Sequence, residues 1–192
     1  MQQNAQDIAV HDIEDLIALF SNLFATAERT RLVCGTQEPF YKPWGLGGEL
    51  AEVVFAHGFF ASALHEVAHW CIAGATRRAQ ADYGYWYKPD GRSPAEQRNF
   101  EQVEVRPQAL EWLFSRAAGS AFTFSADNIA AGGAATSPAW TLFQDRVAAQ
   151  ARRYAVAPPA RAARFATALA ERYGTGDAWR DVFGYRGPSD AT

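Results

Sequence analysis

Hydrophobic residues recur at helical spacing near the start of the chain. After Asp12, a favourable N-cap residue, the apolar positions lie three or four residues apart and form one stripe: Ile13, Leu16, Ile17, Phe20, Leu23 and Phe24. This pattern predicts an amphipathic helix that packs against a core. The same spacing predicts two helices near the C-terminus, over 138–154 and 159–173, the second ending at Gly174.

Short β-branched and aromatic runs predict strands. Residues 31–34 and 53–55 form such runs, and residues 121–125 alternate between aromatic and small polar residues. Residues 82–91 hold four aromatic side chains and end in the turn signal Pro89-Asp90-Gly91. We expect a strand there, either in a packed hairpin or as the aromatic wall of a cleft.

Two more helices are predicted in the middle of the chain. The first covers about 59–73 and ends at Gly74, a typical residue just beyond a helix. The second begins at the cap Ser93, with Pro94 and Glu96 following, and extends toward Gly119, with a kink or restart expected at Pro107. Helices and strands together indicate an α+β fold with a small mixed sheet and several packing helices. One catalytic domain over 1–192 is expected, with frayed tails at 1–10 and 186–192.

Composition narrows the functional classes. The chain has 192 residues, of which 48% are hydrophobic and 14% aromatic, enough for a packed core. The net charge of −3, without long runs of one sign, gives no sign of a nucleic-acid-binding surface. The first residues lack a secretory signal, the two cysteines lack metal-type spacing, and no apolar run is long enough to span a bilayer. We therefore expect a cytoplasmic protein with reduced thiols and no membrane partner.

The middle helix contains the motif H-E-x-x-H, formed by His65, Glu66 and His69. On a helix the two histidines lie one turn apart on the same face, so both imidazoles can bind one divalent metal ion. Glu66 can then reach a metal-bound water or a substrate proton. Two histidines satisfied by hydrogen bonds in the core are the alternative.

A third ligand is expected from the next helix, where Glu101 and Glu104 lie three residues apart on a partly apolar face. Two histidines and a glutamate are the ligand set of some zinc hydrolases. The same set, with open positions, forms the facial triad of non-haem Fe(II) oxygenases. The residues alone leave a zinc peptidase, an iron oxygenase and a non-catalytic binder with a structural metal as alternatives.

Three segments carry a more specific signal: residues 54–74, 83–92 and 100–114. In this order they closely resemble the bacterial elongation factor P hydroxylases, and the resemblance extends from about Asp12 to Tyr173. It implies a metallopeptidase-like α+β core whose chemistry is oxygen insertion. The implied substrate is a lysine of elongation factor P that has already received a β-lysyl group.

The resemblance also implies roles for residues. His65 and His69 would be metal ligands, with Glu104 as the carboxylate ligand and Glu101 as second choice. Glu66 would act on metal-bound water or oxygen, or accept a proton, and His57 would be an outer catalytic residue or a substrate contact.

Hydroxylation with O₂ requires a redox-active metal, so Fe(II) is expected, although purified protein could contain zinc. A 2-oxoglutarate cofactor is not supported, because no acidic residue follows any histidine at the spacing of that enzyme class. The lysyl extension is long and cationic, so carboxylates and aromatic faces should line its channel. The candidates for that wall are Asp82, Tyr85, Tyr87 and Asp90.

Overall fold

In a computed structural model of the chain, the described residues are 11–46, 48–84, 93–125 and 138–182, with only the backbone described over 94–98. These residues form six α-helices, three β-strands and two short 3₁₀ turns, the turns being Ala81–Gly84 and Gly176–Arg180. The helices are α1 (Ile13–Phe24), α2 (Phe60–Ile72), α3 (Ala75–Arg78), α4 (Pro94–Ala118), α5 (Pro138–Val156) and α6 (Ala160–Tyr173), and the strands are β1 (Thr30–Gly35), β2 (Phe40–Lys42) and β3 (Ala51–Ala56).

Helix α1 begins and ends where its apolar stripe predicts. The Asp12 side chain accepts a hydrogen bond from the backbone N–H of Glu14, which satisfies one of the free donors of the first turn. Leu16, Phe20 and Phe24 of the stripe are buried. The rings of Phe20 and Phe24 contact the indole of Trp70 edge-on, with centroids 5.1 and 4.8 Å apart. These contacts hold α1 against α2.

The three strands form one mixed sheet in the order β1-β3-β2. Strand β3 lies in the centre, parallel to β1 and antiparallel to β2. Its residues alternate between buried and partly exposed, which turns Ala51, Val53 and Phe55 toward the helices. The turn from β3 into α2 uses left-handed backbone at His57 and Gly58, with φ of 54° and 73°. The predicted α+β fold with a small mixed sheet is confirmed.

Helix α4 links the helical part of the molecule. It packs against α2, α5, α6 and the second 3₁₀ turn, and α2 packs in turn against β3. The elements share one hydrophobic core that runs from Leu16 to Val182. Among the described helices, none combines the length and the apolar character needed to span a bilayer. The sheet supports α2 on one side of the helix pair, and α5 and α6 support α4 on the other. This pair contains the H-E-x-x-H motif and the candidate carboxylates.

Of four local predictions, two are wrong, one is wrong in part and one is confirmed. The restart predicted as one alternative at Pro107 does not occur: α4 continues through it, because the missing N–H of proline removes one hydrogen bond of a long helix and leaves the rest. Gly74 lies just beyond α2, directly after its C-cap Ala73, as predicted, and with a φ of −69° it also precedes α3 as the N-cap. Residues 121–125 do not belong to a strand. Residues 82–84 form a 3₁₀ turn, where a strand was expected.

Side-chain contacts explain the alternating pattern of residues 121–125. The Gln108 amide donates to the backbone carbonyl of Ser125 at 2.5 Å, and the Ser125 N–H donates back to that side chain at 3.2 Å. The ring of Phe122 stacks on Trp112, with centroids 5.4 Å apart. The segment is thus bound along α4 by side chains, and its aromatic residues reflect that packing. The predicted turn at 89–91 and both predicted tails lie outside the described residues.

Candidate metal centre

Helices α2 and α4 bring two histidines and one glutamate together. The Nε2 atoms of His65 and His69 lie 3.0 Å apart. The carboxylate oxygens of Glu104 lie 3.3 Å from Nε2 of His65 and 3.4 Å from Nε2 of His69. Among the described residues, these three form the group of donor atoms that all lie within 4.8 Å of one another. Glu101, the second choice from the sequence, lies outside this group.

The separations between these donor atoms are those that a small divalent cation requires, with Oε2 of Glu104 facing His65 and Oε1 facing His69. An ion about 2.1 Å from each donor separates two donors by about 3.0 Å at a right angle and by about 3.4 Å at the tetrahedral angle. The three observed separations span this range. Two imidazoles and one carboxylate suit both zinc and iron, so the residues fit a metal ion without selecting one.

A second carboxylate fixes the orientation of His65. Oε2 of Glu111 lies 2.8 Å from Nδ1 of the imidazole, and Glu111 is only 7% exposed. The carboxylate can only accept, so we assign a proton to Nδ1, and Nε2, which is turned toward His69 and Glu104, is the nitrogen that can bind a metal once it has lost its own proton. Histidines that bind metals commonly have such an outer partner, which sets both the tautomer and the ring orientation.

The electrostatics of the group favour bound positive charge. Burial opposes a charged imidazole at His65, but its hydrogen bonds to Glu104 and Glu111 outweigh burial and raise its pKa well above the ordinary value. Burial would also raise the pKa of Glu104, but the nearby His69 and His65 outweigh it and hold that pKa well below the usual carboxyl range. The group therefore retains both a proton and an ionised carboxylate. A divalent cation must displace that proton to bind, so metal affinity should decrease as the pH falls.

The other two residues predicted to be catalytic are not among the three donors. Glu66 follows His65 on α2; burial raises its pKa, and the charges of His69 and His65 offset that only partly. This environment suits a carboxyl group that takes up and releases a proton. His57 is exposed in the turn before α2, where its backbone N–H donates to the carbonyl of Gly35 at 3.0 Å. Neither residue belongs to the donor group.

A pocket of about 450 Å³ opens beside His69, between the end of α2, α3 and α4. Its lining includes Tyr83, Arg77 and Arg106, and among its described lining residues there is no carboxylate. Asp82 does not line it, because its carboxylate accepts the backbone N–H of Tyr41 at 2.8 Å. Among the described lining residues, Tyr83 contributes an aromatic ring, although it was not one of the predicted wall residues. The other three predicted wall residues, Tyr85, Tyr87 and Asp90, lie outside the described residues.

The sequence of this chain is similar to known proteins over most of its length. A family model described as elongation factor P hydroxylase matches residues 19–183. The elongation factor P lysine hydroxylase of Haemophilus influenzae is 46% identical over 168 residues, which cover 87% of this chain and 92% of the relative. The chain belongs to the elongation factor P hydroxylase family. It is therefore a hydroxylase, and the comparisons give no support to the peptidase alternative. The resemblance inferred from the sequence is confirmed.

Two residues of this centre were missed in the sequence. Glu111 follows Glu104 by two helical turns, so the two glutamates lie on one face of α4, and that spacing was the available signal. Tyr83 lies within the predicted aromatic strand, in which Tyr85 and Tyr87 are the tyrosines predicted to contact substrate. Its position beside His69 depends on the 3₁₀ turn, which has no clear signature in the sequence.

Proposed function

We propose that this protein is a metal-dependent hydroxylase that adds one oxygen atom to the β-lysylated lysine of elongation factor P. The proposal rests on one observation: a chain of this family places His65, His69 and Glu104 around a common point at metal-binding distances. The name of the Haemophilus influenzae relative supports the lysine as the acceptor. A translation factor acts in the cytoplasm, so the proposal also places this protein there.

Iron(II) is the proposed metal, held by the two Nε2 atoms and the Glu104 carboxylate. Two histidines and one carboxylate leave coordination positions open, as O₂ chemistry requires. A redox-active metal bound there would supply the electron transfer to O₂ that zinc cannot. One oxygen atom enters the C–H bond and the other leaves as water, so a reductant must supply two electrons and two protons.

The chain's own residues have three proposed tasks. Glu111 holds the Nδ1 proton of His65, so the Nε2 lone pair stays directed at the metal. Glu66, whose pKa is raised chiefly by burial, takes up or releases a proton beside the centre. The pocket next to His69 admits the modified side chain and shields it from bulk water.

Substrate contacts beyond the described pocket remain part of the proposal. Tyr85, Tyr87 and Asp90 are the proposed wall for the cationic part of the lysyl extension, where carboxylate and aromatic faces favour an ammonium group. Asp82 has a structural partner in Tyr41, so we propose that it acts by holding the 3₁₀ turn. His57 stays a proposed outer residue of the site.

Mass spectrometry of the factor tests the proposal. β-Lysylated elongation factor P should gain the mass of one oxygen atom when incubated with iron-loaded protein, O₂ and a reductant, and should gain none with zinc-loaded protein. His65→Ala should abolish the gain while circular dichroism shows a retained fold. No gain with iron-loaded wild type would overturn the proposal. Cleavage of the factor by zinc-loaded protein without O₂ would indicate a peptidase, and unfolding of His65→Ala would indicate a structural metal.

A further inference from the structure

The outer side of α5 carries positive charge that has no counterpart in the part of the chain that the structure describes. Beyond the first turn of this helix, the exposed residues recur every three or four positions and form one stripe, the α5 stripe: Leu142, Arg146, Ala149, Arg153 and Val156. Its two charged members are both arginines, and neither side chain makes a hydrogen bond or an ion pair with the described residues. At 1.5 Å for each residue, the stripe is about 21 Å long.

The arginines of the next helix, α6, are used differently. Arg161 donates to carbonyls at the end of α2, and Arg164 donates to a carbonyl of α1 at 2.8 Å. Arg172 forms an ion pair with Asp15 of α1. The arginines of α6 thus hold the described fold together, whereas those of the α5 stripe contribute no such contact and are available to a partner molecule.

The α5 stripe is linked to the pocket beside His69 through α4. Arg106 is an exposed residue of α4 that lines this pocket, and its Nε donates to the hydroxyl of Tyr154 on α5 at 2.9 Å. Tyr154 directly follows Arg153 in the chain, so positive side chains lead from the edge of the pocket to the stripe. A protein that inserts one side chain into the pocket can therefore lay its body along this surface.

We propose that the α5 stripe docks the body of elongation factor P through an acidic and partly apolar patch of that factor. The inference rests on the proposed function, because it takes the factor as the substrate. Arg146 and Arg153 lie two helical turns, about 10 Å, apart on one side of α5, where each can pair with a carboxylate of the factor. Arginines repel the ammonium groups of the modified lysine, so their counterpart is on the folded surface of the factor.

The composition of the α5 stripe favours a protein over other occupants. Leu142 and Val156 are 50% and 76% exposed, and apolar side chains beside arginine are typical of protein interfaces. A nucleic acid would instead be held chiefly by cations on its phosphates, to which these apolar residues contribute nothing. A second copy of this chain is disfavoured as well, because a two-fold contact through the stripe would place arginines against arginines.

Removal of the two charges tests this docking surface. The test variant is Arg146→Gln/Arg153→Gln. The matched control is Arg31→Gln/Arg172→Gln, which removes two exposed arginines from β1 and α6, where their surface ion pairs contribute little to stability. Fluorescence anisotropy measures the dissociation constant for β-lysylated elongation factor P at low and at high salt, and for a single-stranded RNA. Tm and metal content are measured on the same samples.

For the test variant we expect a dissociation constant for the factor about 3- to 30-fold above wild type at low salt, a smaller difference at high salt, and unchanged Tm and metal content. For the control we expect a value within about twofold of wild type. Equal affinity of the test variant and wild type for the factor would overturn the inference. An equal loss in the control, or loss of the fold or the metal in the test variant, would overturn it as well.

Two further outcomes separate this inference from its alternatives. Weaker binding of RNA by the test variant, with full affinity for the factor, would overturn the inference and place a nucleic acid on the α5 stripe. Binding of the factor through the stripe without oxygen addition by wild type would instead overturn the proposed function.

Discussion

Replacement of Glu111 by glutamine tests how the centre is organised. In the native protein the carboxylate lies 2.8 Å from Nδ1 of His65, and both groups are largely shielded from water. Glutamine has nearly the same shape, and its amide oxygen can still accept the Nδ1 proton. The substitution therefore removes the negative charge that strengthens the hydrogen bond and makes Nε2 a better metal ligand.

The expected size of the effect follows from these contacts. Loss of an outer hydrogen-bond partner of a metal-binding histidine typically lowers metal affinity by about 10- to 100-fold. In free energy this corresponds to about 1.4–2.8 kcal/mol. A hydrogen bond to a charged group contributes about 1.5–3 kcal/mol in total. Glutamine keeps the hydrogen bond and loses only the charge, so the decrease in metal affinity should be closer to about 10-fold than to about 100-fold.

Competition with a chromophoric chelator measures the dissociation constant of the metal at fixed pH. Glu101→Gln is the matched control, because it makes the same substitution on the same helix outside the donor group. We expect weaker binding in Glu111→Gln and unchanged binding in Glu101→Gln. Equal affinity of Glu111→Gln and wild type would refute the proposed orientation of His65. Weaker metal binding in Glu101→Gln alone would indicate that Glu101, and not Glu104, is the carboxylate ligand.

Three smaller predictions follow from other contacts. Arg161 donates to three carbonyls at the C-terminal end of α2 at 2.6–3.2 Å, so Arg161→Lys should lower Tm by about 5–15 °C, and an unchanged melting curve would contradict this. Cys34 is exposed, whereas Cys71 is buried and burial raises the pKa of its thiol. A thiol reagent should therefore modify only Cys34 in the native protein and both cysteines in denaturant. Fast reaction of both cysteines in the native protein would refute this packing. His57→Asn keeps a residue that tolerates left-handed backbone, so chelator competition should show unchanged metal affinity, and weaker binding would place His57 at the metal.

Much of the fold could be predicted because its signals are local. The apolar stripe and the Asp12 cap define α1 in adjacent residues, and Gly174 ends α6 with left-handed backbone, as expected. The H-E-x-x-H spacing needs only a helix to bring His65 and His69 together. Properties that depend on a single helix or its caps were thus accessible from the sequence.

The errors lie where a residue's environment comes from a distant segment. Strand β2 has three residues and exists because it pairs with β3, so its sequence alone gave no strand signal. The role of Glu111 requires α4 to pack on α2 in one particular register. The 3₁₀ turn at Tyr83 is held by Tyr41, Asp82 and Arg77, contacts that the aromatic pattern of residues 82–91 does not reveal.

The source of the added oxygen tests the central claim most directly. β-Lysylated elongation factor P would be incubated with iron-loaded protein and a reductant under O₂ of the heavy isotope, and its mass then measured. We expect the factor to gain one heavy oxygen atom, and we expect no gain with a His69→Ala variant that retains its fold. A factor that gains no oxygen, gains only light oxygen from water, or is cleaved would contradict metal-dependent hydroxylation.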